Sequence, residues 1–179
     1  MFTPKIHMYY CTEGDSIELS CSVYTDNIEV EWYKDVNELH ECTNISITSN
    51  GNHRMLTILE TTVTDSGTYF VKAQNAVMKI SLTVKAIFKR RLVDKTNMEG
   101  LDTNLECETE EKNCNVRWFR NNVEITDEQD RMKIETTQGR VHTLFISKTS
   151  LEDSGTYSIK IKGVKSIAQL DVKGNISYS

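Results

Sequence analysis

The sequence predicts an all-β protein that consists of two consecutive β-sandwich domains, and three observations support this. Apolar and polar residues alternate along most segments with a period of two rather than 3.6, which is typical of strands with one buried face. One set of landmark residues occurs twice, at a spacing of about 86 to 88 residues. The length of 179 residues is sufficient for two small domains.

The landmarks of the repeat are a Cys, a Trp and an Asp-x-Gly-x-Tyr motif, in that order. The separation from Cys to Trp is eleven residues in both copies, from Cys21 to Trp32 and from Cys107 to Trp118. The Trp to Tyr separation is 37 residues in the first copy and 39 in the second, where the Tyr residues are Tyr69 and Tyr157. The difference in length therefore falls among the predicted turns.

Each copy is expected to contain about seven short strands that form two stacked sheets. Gly51 and Gly139 each lie between two alternating runs, which predicts a hairpin in both copies. The predicted inward-facing residues of the two copies are Ile17, Leu19, Cys21, Val23, Val30, Trp32, Leu56, Ile58, Tyr69, Val71, Ala73, Leu82 and Val84, and then Leu105, Cys107, Val116, Trp118, Met132, Ile134, Leu144, Ile146, Tyr157, Ile159, Ile161, Leu170 and Val172.

The composition is that of an ordinary globular chain, with 38% hydrophobic residues, 26% charged residues and a net charge of −5. No segment has the roughly 20 apolar residues of a spanning helix, and the N-terminus lacks the pattern of a signal peptide, so no membrane association is expected. Lys89-Arg90-Arg91 is the only basic cluster, and at a sequence pI of about 5.4 it does not indicate nucleic-acid binding.

These landmarks resemble the immunoglobulin fold, and the resemblance covers almost the whole chain. The second copy in particular, with Met98-Glu99-Gly100 and the run from Leu151 to Tyr157, resembles intermediate-set domains of the titin and obscurin class. The expected domains are residues 1–85 and 86–173, with 174–179 as a tail or the start of a further segment. The junction around Ala86 contains neither Gly nor Pro, so we expect a semi-rigid pair without a flexible linker.

The resemblance also implies that a disulfide is missing. Extracellular members of the family carry a second Cys two residues after the Tyr, and here those positions are Val71 and Ile159. We therefore expect Cys21 and Cys107 to be buried thiols beside the tryptophans, as in a reducing cytosol. We expect the other cysteines to be reduced as well, although an unconventional bridge among them stays open; they are Cys11, Cys42 and Cys114.

The resemblance assigns a structural role to Asp65 and Asp153. At this corner of the fold the Tyr hydroxyl bonds to the chain just upstream, and the Asp commonly pairs with an Arg at the start of strand D. Arg131 occupies that place in the second copy, whereas Asn44 occupies it in the first. Asp65 is thus expected to lack an ionic partner, and the first domain is expected to be the weaker one.

The sequence contains no pattern of a catalytic, cofactor or metal site. No nucleophile, base and electrophile can be placed together, so an enzyme and a small-molecule substrate are not expected. The acidic run 127–130 lacks the alternating ligands and the Gly of a calcium loop. The histidines are scattered, without the spacing of a zinc site, and are expected at solvated strand or turn positions; they are His7, His40, His53 and His142.

The main functional hypothesis is a non-enzymatic structural and scaffolding module of a giant cytosolic, sarcomeric protein, which is elastic and binds a protein partner. The resemblance implies that load is resisted between the A′ and G strands, near Met8–Thr12 with Ile80–Val84 and Thr96–Met98 with Ala168–Val172. The alternative is an extracellular adhesion or receptor module. Its sequence support is two glycosylation triplets, at Asn44 and Asn175, which chance also provides in a chain this rich in Asn, Ser and Thr.

Overall fold

The computed structural model describes residues 7–126 and 131–174. The chain divides into two compact units, the first ending at Ala86 and the second beginning at Ile87. This division lies one residue after the boundary expected from the sequence. The acidic run 127–130 and residues 175–179 of the expected tail lie outside the described residues.

The first unit is a sandwich of two sheets. A mixed sheet has the strand order β1-β8-β7-β3-β4, and an antiparallel sheet has the order β2-β6-β5. The strands are β1 (His7–Thr12), β2 (Ile17–Ser22), β3 (Glu31–Lys34), β4 (Asn37–Leu39), β5 (Ile45–Asn50), β6 (His53–Ile58), β7 (Gly67–Ala73) and β8 (Ala76–Lys85).

The second unit repeats this arrangement and adds one strand, β9, to the smaller sheet. Its sheets have the orders β10-β17-β16-β12-β13 and β14-β15-β11-β9. The strands are β9 (Phe88–Arg90), β10 (Lys95–Met98), β11 (Thr103–Thr109), β12 (Val116–Arg120), β13 (Val123–Ile125), β14 (Met132–Thr137), β15 (Val141–Ile146), β16 (Gly155–Ile161) and β17 (Val164–Lys173). The predicted all-β class with two sandwich domains is confirmed.

The alternation of buried and exposed residues explains why these segments form sandwiches. Along β8 and β17 every second residue is buried, so one face of each strand is apolar and must be covered by the facing sheet. In each unit the buried side chains form a separate core around one indole, Trp32 or Trp118. Apart from single 3₁₀ turns at Val63–Asp65 and Leu151–Asp153, the described residues contain no helix.

The hairpins form where glycine was predicted to allow them. Gly51 connects β5 to β6 with a φ of 55°, and Gly139 connects β14 to β15 with a φ of 71°. These angles lie in the left-handed region that favours glycine. At Gly139 a Cβ atom would also lie only 2.5 Å from Oδ1 of Asn113, so this hairpin packs tightly against a neighbouring loop.

The last strand of each unit pairs in parallel with an early strand, β1 in the first unit and β10 in the second, whereas β9 pairs antiparallel with β11 in the other sheet. In the first unit β1 pairs with β8 from His7 opposite Ile80 to Thr12 opposite Lys85. In the second unit β10 pairs with β17 from Lys95 opposite Leu170 to Met98 opposite Lys173. Both pairings were expected. Each begins one residue earlier on β1 or β10 and ends one residue later on the last strand than expected, and the second begins at Leu170 of β17 instead of Ala168.

Candidate functional site

The cores contain the predicted Cys and Trp residues without a crosslink. Trp32 and Trp118 are each 1% exposed, and Cys21 and Cys107 belong to the same buried clusters. Val71 lies directly opposite Trp32, as Ile159 lies opposite Trp118. All five cysteines of the chain fall within the described residues and are unbridged. Non-covalent packing around each indole, without a disulfide, therefore holds the two sheets of each domain together.

The two core thiols are chemically inert at neutral pH. Burial raises the pKa of the Cys21 thiol to about 11, against a smaller opposing effect of Arg54. Burial likewise raises the pKa of Cys107 to about 12. The thiolate is the reactive form of cysteine, so both side chains act as small packing residues rather than as nucleophiles.

A polar residue lies opposite each core cysteine, which the sequence interpretation missed. Arg54 pairs with Cys21 across β2 and β6, and His142 pairs with Cys107 across β11 and β15. Arg54 is 4% exposed, and its guanidinium donates hydrogen bonds to the carbonyl oxygens of Asp26, Ile28, Gly51 and His53 at 2.7 to 3.0 Å. Five bonds to backbone carbonyls thus satisfy a buried cation without a carboxylate.

The expectation that all four histidines are solvated is wrong for His142, which is 0% exposed. Its Nε2 lies 3.3 Å from Oγ1 of Thr109, and its Nδ1 lies 3.0 Å from Oγ1 of Thr136. Burial lowers the pKa of His142, because the charged imidazolium is poorly solvated there. His40 and His53 are exposed, as expected.

In the second domain, Asp153 is the centre of the predicted corner. Its carboxylate is 0% exposed and accepts hydrogen bonds from Nη1 of Arg131 at 2.8 Å and from Nη2 at 3.1 Å. The amide of Ser150 donates a further bond at 2.8 Å. Burial acts to raise the pKa of Asp153, but these bonds outweigh it and the pKa is lowered. The Tyr157 hydroxyl donates to the Asp153 carbonyl oxygen at 2.8 Å.

The corner of the first domain has the same backbone geometry without the arginine. The Tyr69 hydroxyl donates to the Asp65 carbonyl oxygen at 2.8 Å, and the Thr62 amide donates to the Asp65 carboxylate at 2.8 Å. Asn44 instead bonds to the backbone of Glu60, at 2.9 and 3.0 Å. Among the described residues no cation forms an ion pair with Asp65.

A buried threonine ties this corner to the end of β1 in the first domain and to the end of β10 in the second. Thr61 donates through its hydroxyl to the carbonyl oxygens of Thr12 and Asp15 at 3.2 and 2.9 Å. Thr149 makes the same pair of bonds, to Met98 and Leu101, at 3.1 and 2.9 Å. Both threonines precede the corner tyrosine by eight residues, so the repeat itself contained the signal for them.

The parallel strand pairs are the candidate load-bearing elements, and they differ in length. β1 has six residues in its ladder with β8, whereas β10 has four in its ladder with β17. In the first domain the Tyr9 hydroxyl also accepts a hydrogen bond from the Ser20 amide at 3.2 Å, which joins the two sheets beside this ladder.

The described residues contain no group of three or more His, Cys, Asp or Glu side chains arranged to hold a metal ion. None of the helical segments among them is long and apolar enough to cross a membrane.

Comparison with known proteins agrees with the immunoglobulin fold expected from the sequence. The family model for the immunoglobulin I-set domain matches residues 1–88 and again residues 86–172. Cardiac-type myosin-binding protein C of Rattus norvegicus is 29% identical over 168 residues, which cover 92% of this chain and 13% of that protein. The slow-type protein of Homo sapiens is 30% identical over 168 residues, with coverage of 92% and 15%.

Titin provides further similarities. Titin of Drosophila melanogaster is 29% identical over 177 residues, which cover 96% of this chain and 1% of that protein. The crystal structure of the titin I9-I11 tandem matches with a TM-score of 0.58 at 24% identity, covering 97% of this chain and 66% of the other, which shows a shared fold. The chain therefore spans only a small part of the muscle proteins that it resembles in sequence.

Proposed function

The chain belongs to the immunoglobulin I-set family, with one I-set domain in each half, and on that premise we propose that it is a non-enzymatic tandem module of a cytosolic, sarcomere-associated filament or scaffold protein. Its role in this proposal is to bear load elastically and to bind a protein partner. The relatives, titin and myosin-binding protein C, support a structural role in muscle. The name myosin-binding protein C also supports a protein partner for this chain.

The observation that carries the mechanical part is the parallel pairing of β1 with β8 and of β10 with β17, with no covalent bond between the sheets. Force applied to the chain ends would load these ladders along the strands. Once a ladder separates, the whole domain can extend, because no disulfide holds back any part of it. A domain of about 85 residues would lengthen by about 85 × 3.4 Å less its folded length, or roughly 250 Å.

Single-molecule pulling of the tandem tests this proposal. The expected record has two unfolding events, each with a step of roughly 250 Å. Much shorter steps would reveal a hidden crosslink and would contradict the elastic role.

The alternative of an extracellular adhesion or receptor module makes a different prediction about the cysteines. Thiol titration after denaturation, without a reductant, would detect all five cysteines as reactive in the cytosolic protein. One or three reactive thiols would indicate disulfides and would favour export. The raised pKa of Cys21 and of Cys107 requires the titration to be done on the unfolded chain.

A further inference from the structure

A cationic cavity lies at one end of the second domain. It has a volume of about 660 Å³ and is lined by the loop of residues 111–115, by parts of β12 and β16 and by Lys162 in the turn after β16. Four of the lining side chains are cations and only one, Glu111, is a carboxylate; the cations are Lys112, Arg117, Lys160 and Lys162. The lining therefore carries a net charge of +3 in a chain whose net charge is −5.

The cavity adjoins a row of like charges that crosses three neighbouring strands. Arg117 on β12 lies directly opposite Lys160 on β16, and Lys160 lies directly opposite Lys165 on β17. Side chains at directly opposite positions have Cβ atoms about 5 Å apart, so like charges in this arrangement destabilise a sheet. Folding alone therefore gives no reason for this row.

The first domain shows that the fold does not require such a row. The equivalent positions there are Glu31, Lys72 and Val77, which lie opposite one another in the same register. They combine an acid, a base and an apolar residue. The cationic row is thus a property of the second domain alone.

Little within the described chain neutralises Lys112, Lys160, Lys165 and Arg117. Arg117 lies 3.6 Å from Glu124, and both side chains are about half exposed. Within residues 7–126 and 131–174, neither Lys112, Lys160 nor Lys165 has a carboxylate partner at ion-pair distance. The cavity consequently offers positive charge to a molecule from outside.

The loop that forms one wall of the cavity is held in place by its own hydrogen bonds. The Asn113 amide donates to the Gly139 carbonyl oxygen at 2.7 Å, across to the β14–β15 hairpin. The Glu111 carbonyl oxygen accepts bonds from the Thr109 hydroxyl at 2.7 Å and from the Cys114 thiol at 3.5 Å. A wall that is already ordered loses less entropy when a ligand binds.

We propose that this cavity binds an acidic peptide segment of a protein partner. Aspartate and glutamate side chains of the segment would lie among the lysines. Its backbone N–H groups would donate to the acceptors in the wall, namely the Glu111 carboxylate and the side-chain oxygens of Asn113 and Asn115. A nucleic-acid phosphodiester backbone has no donor for these acceptors, and the negative net charge of the chain repels a long polyanion.

This inference rests on the protein-binding part of the proposed function and is independent of the mechanical part. Fluorescence anisotropy of the whole tandem can test it with a labelled octapeptide in which Asp alternates with Gly. The matched peptide carries Asn in place of Asp. We expect the first peptide to bind, the second not to bind, and the affinity for the first to fall as salt is added.

Two lysine variants locate the binding site. Lys160→Gln should weaken binding of the acidic peptide about threefold to fivefold, since one exposed ion pair contributes modestly. The same variant should raise the unfolding temperature of the second domain, because it removes repulsion from two directly opposite cations. Lys133→Gln, which removes a charge from the other sheet, should leave binding unchanged.

Three results would overturn the proposal: no binding of the acidic peptide, equal weakening by Lys133→Gln, or tighter binding of a single-stranded oligonucleotide of equal charge than of the peptide. None of them would alter the pulling record expected for a load-bearing tandem. Failure of this inference is therefore distinguishable from failure of the mechanical function.

Discussion

At the residue scale, position 131 and its counterpart 44 account for the main difference between the corners of the two domains. Arg131 precedes β14 and binds the buried Asp153 through two hydrogen bonds, whereas the side chain of Asn44, which precedes β5, bonds only to the backbone of Glu60. The tyrosine hydroxyl bond of 2.8 Å and the amide bond to the carboxylate are the same in both corners. Arg120 also lies 3.7 Å from the Asp153 carboxylate, so a substitution of Arg131 tests the two-bond contact and not the whole ionic contribution.

Arg131→Asn, which installs the residue of the first domain, should lower the free energy of unfolding of the second domain by about 1 to 2 kcal/mol. The cost comes from leaving the buried Asp153 carboxylate with fewer donors. It stays below that of a fully buried pair because the Arg131 side chain is 45% exposed and Arg120 lies 3.7 Å from the same carboxylate. Urea unfolding followed by fluorescence measures this loss of unfolding free energy. A Trp32→Phe background leaves Trp118 as the reporter of the second domain.

The matched control for this variant is Lys133→Gln, two residues further along the chain. Its ammonium pairs with Glu135 at 2.5 Å on an exposed surface, so its removal should leave stability unchanged. An equal loss in both variants would mean that Arg131 acts only as another surface charge and that the corner needs no cation.

His142 makes the stability of the second domain depend on pH. Burial holds its pKa below that of an exposed histidine, so the unfolded chain takes up a proton at a pH where the folded domain does not. Stability from this residue is complete above the unfolded pKa of about 6.5 and is lost as the pH falls below it, by at most about 1.4 kcal/mol per pH unit. Unfolding free energies at pH 7.5 and 5.5 measure this loss.

Two glutamine variants assign the pH dependence. His142→Gln should remove this part of the slope, whereas His53→Gln, at an exposed position, should preserve it. If His142→Gln retained the full slope, another group would be responsible and the buried imidazole would have no part in it.

Residues 54 and 142 also show how far the sequence predicts a core. Arg54 shares its strand parity with Leu56 and Ile58, and His142 shares its parity with Leu144 and Ile146. The alternation that placed the leucines inside therefore also placed these two polar residues inside. What the sequence could not supply was their more distant partners, since the carbonyl groups of Asp26 and Ile28 complete the bonding of Arg54 and two threonines satisfy His142.

At the element scale, strand identity was predictable and exact register was not. The landmark motifs predicted which strands are adjacent, because the resemblance that they establish implies that strands A′ and G pair, here β1 with β8 and β10 with β17. The ladders nevertheless reach Lys85 and Lys173, one residue beyond the expected ends. The cationic row was hidden for the same reason, because Arg117, Lys160 and Lys165 meet only once the registers of three strands are known.

A crosslink between the sheets should shorten the elastic step of one domain. Val71→Cys restores the residue that extracellular relatives carry opposite the strand-B cysteine, here Cys21. A bridge under oxidising conditions would enclose 50 residues (71 − 21). The step of the first domain should then fall from about 250 Å to about 80 Å, because about 50 × 3.4 Å of chain stays locked.

Reduction of the same variant provides the internal control for this experiment. A reductant should restore the longer step, and the second domain should give the longer step under both conditions. A step that stays at about 250 Å in the oxidised variant would mean that no bridge forms, and hence that the two Cα atoms lie outside the roughly 4.4 to 6.8 Å that a disulfide spans.

At the scale of the whole molecule, the two domains have separate cores. The buried apolar cluster around Trp32 contains only residues of the first unit, and the cluster around Trp118 contains only residues of the second. Leu56 and Leu144 occupy equivalent places, each 0% exposed and opposite a leucine of the neighbouring strand, Leu19 or Leu105. This equivalence provides a matched pair of variants for testing whether the domains unfold independently.

Calorimetry of the tandem should show two unfolding transitions. The first domain should unfold at the lower temperature, because its corner lacks the arginine. Leu56→Ala should destabilise only the first domain and Leu144→Ala only the second, each by about 2 to 5 kcal/mol, since truncation of a fully buried leucine loses transfer free energy and leaves a cavity. The undisturbed transition should shift by less than about 0.5 kcal/mol. If either variant moved both transitions together, the domains would unfold as one cooperative unit, and a load could not open them one at a time.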